Sequence, residues 1–166
     1  LSQLPPLFVP FGNYKVAITV PADHIVASTG VLQNGKSILS AAQQQRWAQA
    51  QTAKEPVEIV TLAEAIEASK QKSTAKKTWI FEAENVRDFA FNTSRRLVWD
   101  AMPVFIDGKK VMCMSFYGKE AYPIYRKYST KVVAHALKVY GKCTIPSPYP
   151  VAQSVEAAIG MEYPML

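Results

Sequence analysis

Residues 103–117 have the sequence PVFIDGKKVMCMSFY, and this stretch decides the fold. Two mostly apolar runs, 103–106 and 111–117, flank the segment Asp107-Gly108-Lys109. An Asp-Gly pair between such runs is typical of the tight turn that joins two antiparallel strands. The stretch therefore predicts a β-hairpin.

The pattern changes at Gly118, immediately after this hairpin. From there apolar residues recur with a spacing close to 3.6 residues: Ile124, Tyr128, Val132, Val133, Ala136, Leu137 and Tyr140. This spacing predicts one amphipathic helix over 122–140, which we expect to end at Gly141.

The last part of the chain returns to an extended pattern. Residues 145–150 form a proline-rich link, and Val155, Ala157 and Ile159 then occupy alternate positions. The alternation predicts a strand that closes on Gly160. A glycine there permits another backbone to approach closely, because it has no Cβ.

Upstream of the hairpin, six short runs have the composition or alternation of strands: 15–20, 24–29, 57–60, 79–83, 89–92 and 98–99. The pair Asn34-Gly35 predicts a tight turn, and 40–52 and 62–70 predict helices. Thr61 and Glu64 form a capping box at the start of the second helix.

Together these patterns predict a mainly β fold with some α, which is an α+β class. Seven or so short strands with turn signals are typical of an antiparallel β-sandwich or saddle. We place this domain over 1–119. One amphipathic helix and an edge strand then follow over 120–166, on the other side of a boundary near Lys119.

Composition excludes several classes of protein. Of the 166 residues 49% are hydrophobic and 19% are charged, which suits one domain, or one domain with a fragment of the next. The net charge of +6 is not arranged as a basic stripe with interleaved aromatics, so no nucleic-acid partner is predicted. No apolar run reaches the length of a membrane span. The first residues lack the features of a signal peptide, but one removed upstream would leave the same start, so the compartment stays open.

The terminal segment also carries a family resemblance. Gly160-Met161-Glu162 resembles the second to fourth positions of the Gly-x-Met-Glu-Asn exopeptidase motif of the aminopeptidase-N-type gluzincins, a family of zinc aminopeptidases. The longer string GMEYPM is similar to a variant of bacterial members. Ile159 stands where the family has its first glycine, and Tyr163 where it has asparagine. Three further stretches share the resemblance: 14–21, 79–90 and 149–150.

The resemblance implies a substrate-binding segment made of Gly160, Met161, Glu162 and Tyr163. In the family, the glutamate that matches Glu162 holds the free α-ammonium of the peptide substrate, so the enzymes remove residues from the N-terminus. It further implies that the chain is a fragment, covering the later N-terminal β-domain and the start of a thermolysin-like catalytic domain truncated before the zinc motif. It suggests a periplasmic or secreted parent protein.

The chain lacks the metal-binding motif of that family. A gluzincin binds zinc through His-Glu-x-x-His on a helix and a later glutamate. This sequence has only two histidines, His24 and His135, and neither stands in that motif. The sequence therefore predicts no catalytic residue and no metal ligand in this chain. Zinc is expected as the cofactor of the full-length parent, and the chain alone is expected to be inactive.

The sequence supports two functional hypotheses. The first is a fragment of a zinc aminopeptidase that hydrolyses N-terminal peptide bonds and carries the anchor for a peptide with a free N-terminus. The second is a free-standing, non-catalytic β-rich module that binds a peptide or protein without zinc. They differ in the gene downstream of the codon for Leu166: the first predicts a zinc motif there, and the second predicts a stop codon.

Overall fold

The computed structural model of the chain describes residues 10–70 and 72–157, which form nine strands and four helices. The strands are β1 (Gly12–Pro21), β2 (Ile25–Ser28), β3 (Val31–Leu32), β4 (Val57–Val60), β5 (Lys76–Val86), β6 (Phe91–Ser94), β7 (Val98–Ile106), β8 (Lys109–Tyr117) and β9 (Val151–Val155). The helices are α1 (Gly35–Ile38), α2 (Ala41–Ala50), α3 (Leu62–Lys70) and α4 (Tyr122–Cys143). The predicted α+β class, rich in β-strands, is confirmed.

The strands pair into three sheets. The first has the order β1-β5-β3 and is antiparallel, and β2 and β6 form a separate antiparallel pair. The third has the order β4-β7-β8-β9. In it β4, β7 and β8 are antiparallel neighbours, whereas β9 lies parallel to β8. The parallel pair is possible because α4 carries the chain back between β8 and β9.

The predicted hairpin is the centre of the third sheet. β7 and β8 pair from Val98↔Tyr117 to Ile106↔Lys109. The two turn residues have positive φ, 48° at Asp107 and 76° at Gly108. Positive φ at both central positions is the geometry that joins strands with the natural right-handed twist.

Both faces of this hairpin are buried. One face packs in the core shared with the first sheet, where Trp99 and Phe116 stack with ring centroids 5.3 Å apart. The other face packs under α4, where Cys113 and Val104 join Ala134. Burial on both sides explains why β8 is apolar over successive residues and does not alternate.

The helices attach to this sheet through their caps and apolar sides. Ser40 and Gln43 form a capping box at α2. Trp47 on that helix packs against Trp99, with ring centroids 5.3 Å apart. The predicted capping box of Thr61 and Glu64 is present at α3. Among the residues that the structure describes, none of the helices combines the length and the apolarity needed to cross a bilayer.

Three local predictions differ from the structure. Asn34-Gly35 does not join strands in a tight turn, because the Asn34 side chain bonds to Thr78 O and Ile80 N of β5 and helix α1 begins at the next residue. α4 continues past Gly141 to Cys143. The last described strand lies at Val151–Val155, where it pairs with Met112–Phe116 of β8; residues 156–157 are not part of it, and the predicted strand positions 158–160 lie outside the described residues.

We predict that two glycines with similar φ respond differently to alanine. A Cβ at Gly30, where φ is +88°, would lie 2.4 Å from the carbonyl oxygen of Glu82, whereas one at Gly108 would meet nothing within 4 Å. Gly108→Ala should therefore lower the free energy of unfolding by only about 1–2 kcal/mol, the cost of placing a residue with a Cβ at positive φ. Gly30→Ala should cost at least about 2 kcal/mol more, since backbone must move. Urea denaturation of both variants measures this, and equal losses would contradict it.

Candidate functional site

β9 is the last described strand before the predicted anchor segment. This strand lies in register with β8, from Met112↔Val151 to Phe116↔Val155. At its start Met112 N donates to Pro150 O (2.9 Å), and just past its end Glu156 N donates to Phe116 O (2.8 Å). The main-chain bonds therefore fix both ends of β9 against the centre of the fold.

Side chains add a second set of bonds where β9 ends. Gly118 N donates to Glu156 Oε2 (2.6 Å), and Asn92 Nδ2 donates to Glu156 O (3.2 Å). Gln153 Nε2 donates to Ser28 O (2.8 Å). These contacts link β9 to the end of β8 and to the β2-β6 pair. The segment that follows Glu156 thus begins from a firmly held point.

The predicted substrate-binding residues Gly160, Met161, Glu162 and Tyr163 lie outside the described residues. Their role stays a prediction. The division into 1–119 and 120–166 also stays a prediction, although α4 and β9 pack directly on the hairpin of β7 and β8.

Among the described residues, neither histidine belongs to a group of side chains that could bind a metal. His24 Nδ1 lies 3.0 Å from Thr93 Oγ1, and burial together with the nearby Arg95 lowers the pKa of His24. His135 lies on the exposed side of α4. Over 10–70 and 72–157, no group of three or more His, Cys, Asp or Glu side chains is placed to hold a metal ion. These residues do not fit a catalytic zinc ion.

A buried polar cluster lies between the hairpin and α4. Asp100 on β7 is fully buried and accepts hydrogen bonds from Tyr117 OH (2.7 Å) and from Thr130 Oγ1 of α4. Ser115 Oγ lies 2.8 Å from Thr130 Oγ1 and 2.9 Å from Ser129 Oγ. Burial raises the pKa of the Asp100 carboxyl, and the two hydrogen bonds oppose that shift. Through its bond from Thr130, this buried carboxyl attaches α4 to the sheet.

A second polar group ties the start of α4 to β4. Arg126 Nε and Tyr122 OH both donate to Glu58 Oε1, at 2.7 and 2.8 Å. Arg126 Nη2 also donates to Pro56 O (3.2 Å). The ion pair is only partly exposed, so it is screened less than a surface pair. It holds the first turn of the helix over the sheet edge.

The fold is similar to that of a two-domain M1 zinc metallopeptidase, known from the crystal structure of a mutant bound to the amino acid L-tryptophan. The TM-score is 0.53 at 13% sequence identity, and the likeness covers 90% of this chain. This chain spans only 27% of the length of that one. At this identity the comparison shows a shared fold. No family model matches the chain, and no curated protein matches it.

Sequence reasoning missed both polar groups. The partners of Asp100 and of Glu58 are far away in sequence, and nothing in the local pattern marks them. The one available signal is the placement of Asp100 and Ser115 inside otherwise apolar strands, since a buried polar residue needs a partner.

We predict that Asp100→Ala lowers the free energy of unfolding by roughly 2–4 kcal/mol, because two buried hydroxyl groups lose their acceptor. Chemical denaturation measures the loss. The matched control is Asp88→Ala, since Asp88 is exposed, and it should change stability by less than about 0.5 kcal/mol. A loss at Asp100 no larger than that at Asp88 would contradict the role of the cluster.

Proposed function

We propose that this chain is part of a zinc-dependent aminopeptidase. In this proposal it supplies the later N-terminal β-domain and the entry to the catalytic domain. It also carries Glu162, the anchor for the free N-terminus of a peptide substrate. The hydrolytic centre itself would lie in sequence beyond this chain.

The proposal rests on two features that occur in the same chain. The string Gly160-Met161-Glu162 resembles the exopeptidase motif of zinc aminopeptidases, and the described fold resembles that of a zinc metallopeptidase. The two features differ in kind, because the first is a local match of side chains and the second is the course of the backbone. A chance match of a short motif would not be expected to coincide with that fold.

The chemistry of anchoring fits these residue types. A carboxylate at Glu162 would form a charge-assisted hydrogen bond with the α-ammonium of the peptide. Around Gly160 and Met161, an extended backbone would add the substrate as a further strand. Tyr163 would lie beside the anchor. Such contacts orient the scissile bond but contribute nothing to hydrolysis without a metal-activated water.

Zinc would be held by residues outside this chain. The described residues offer no three-ligand group, and the two histidines lie on different elements, His24 in the turn before β2 and His135 on α4. The chain alone is therefore expected to be inactive.

We predict that the gene continues past the codon for Leu166 and encodes His-Glu-x-x-His with a glutamate further on. Sequencing the native gene downstream of that codon decides this. A stop codon at Leu166 would overturn the proposal. It would favour instead the free-standing β-rich module that binds a peptide or protein.

We predict that Glu162→Ala in the full-length protein lowers kcat/KM for peptides with a free N-terminus by roughly 10–100-fold, the worth of a charge-assisted bond of about 1.5–3 kcal/mol. The loss should fall mainly on KM. Glu84→Ala is the matched control, because Glu84 is an exposed glutamate. N-acetylated peptides should be equally poor substrates for both variants. An unchanged kcat/KM for free peptides would refute the anchoring role.

A further inference from the structure

A cavity of about 390 Å³ opens in the β-domain, far along the chain from the anchor segment. It lies between the turn after β1, the end of β4, helix α3 and the start of β5. Its apolar wall includes Ile25, Ile38, Leu39, Val60, Ala65 and Ala68. This volume falls in the range of small-molecule sites in proteins, about 300–1,000 Å³.

The polar wall contains two carboxylates, and each already has its own guanidinium. Asp23 Oδ2 accepts from Arg95 Nε (2.8 Å), and Glu64 Oε1 accepts from Arg46 Nη2 (2.6 Å). Burial would raise the pKa of Asp23, but hydrogen bonds from Arg95 and from Ser73 N–H outweigh it and hold the pKa below its ordinary value. Both carboxylates are therefore charged and compensated at neutral pH.

Among the described charged residues of the cavity wall, Lys77 is the one that forms no ion pair. Within 10–70 and 72–157 it makes no ion pair, and its ammonium lies over the ring of Trp79, 4.9 Å from the centroid. Burial lowers the pKa of Lys77, and the charge of Asp23 opposes that shift. A half-buried ammonium without a carboxylate is costly, and an anion bound beside it would offset that cost.

Arg95 adds hydrogen-bond donors on the same side of the cavity. Only its Nε bonds to Asp23, and its two terminal nitrogens donate to no group in the part of the chain that the structure describes. The second oxygen of Asp23 is buried and has no donor there, so it is closed to a ligand. The cavity thus offers cations and donors to a ligand, beside an apolar wall.

We propose that this cavity binds a small organic monoanion, a carboxylate with a short apolar tail. Its acid group lies between the Lys77 ammonium and the terminal nitrogens of Arg95. Its tail lies against Leu39, Val60 and Ala68. A carboxylate matches the planar donors of arginine, and its single charge equals the one charge that the wall leaves uncompensated.

Hexanoate is the probe for this site, with hexan-1-ol as its neutral counterpart of equal length. In a titration followed by ¹H–¹⁵N NMR, hexanoate should shift the amides of Ile25, Leu39, Ala65 and Arg95 along one saturable curve. Hexan-1-ol should bind at least about 10-fold more weakly, because it lacks the charge-assisted bonds. Equal binding of the alcohol, or no saturable shift at these amides, would overturn the proposal.

Two variants locate the site. Lys77→Met keeps an unbranched side chain, one heavy atom shorter, and removes its charge, and it should raise the Kd for hexanoate at least about 10-fold. Lys76→Met is the matched control, since Lys76 is the exposed neighbour on the same strand, and its Kd should be unchanged. If both variants raised the Kd equally, hexanoate would be attracted by the general positive charge of the surface, and the proposed site would be refuted.

Ala68→Leu tests the apolar wall separately. The larger side chain on α3 enters the cavity without altering any charge, so hexanoate binding should be lost while the amide spectrum outside the cavity stays that of the folded protein. Retention of the original Kd in Ala68→Leu would overturn the placement of the tail.

Discussion

The burial of the β7-β8 hairpin on both faces is the constraint on which the rest of the structure depends. Its inner residues need the first sheet, and its outer residues need α4. The polar pair Asp100 and Ser115 lies on the outer face, so α4 must supply hydrogen-bond partners as well as apolar area. Thr130 meets that requirement at one turn of the helix, and it thereby fixes the position of α4 along the sheet.

The position of α4 in turn decides the position of β9. The helix returns the chain to the start of β8, where β9 can pair in parallel with its neighbour. The bonds from Glu156 to Gly118 and from Asn92 to Glu156 then close this edge. A single packing requirement at the hairpin is thus transmitted through one helix to the strand that leads toward Gly160.

Local patterns in the sequence predicted much of this fold. The Asp107-Gly108 turn, the Thr61 and Glu64 capping box, and the apolar period of α4 are each encoded within a few residues, so they could be found without knowing the fold. The role of Asn34 could not, because its partners Thr78 and Ile80 are remote in sequence. The parallel pairing of β9 was missed for the same reason, since the register depends on the packed length of α4.

The candidate sites divide in the same way. The anchor segment at Gly160 to Tyr163 is a contiguous string, which a sequence can reveal by resemblance alone. The cavity beside Lys77 is built from residues of β2, β4 and β5, of three helices, and of the turns after β1 and before β7, and no spacing along the chain marks it. What sets Lys77 apart from the exposed Lys76 is its burial, a property of the folded state.

The pairing of β1 with β5 has a consequence for synthesis of the protein. Their register joins Pro21 to Lys76 and Gly12 to Val86, so the most closely spaced partners are 76 − 21 = 55 residues apart in the chain. At about 5–20 residues per second, roughly 3–11 s of translation separate the two strands. Throughout that interval β1 leaves the ribosome with an edge that has no partner, so the nascent chain depends on shielding until β5 emerges.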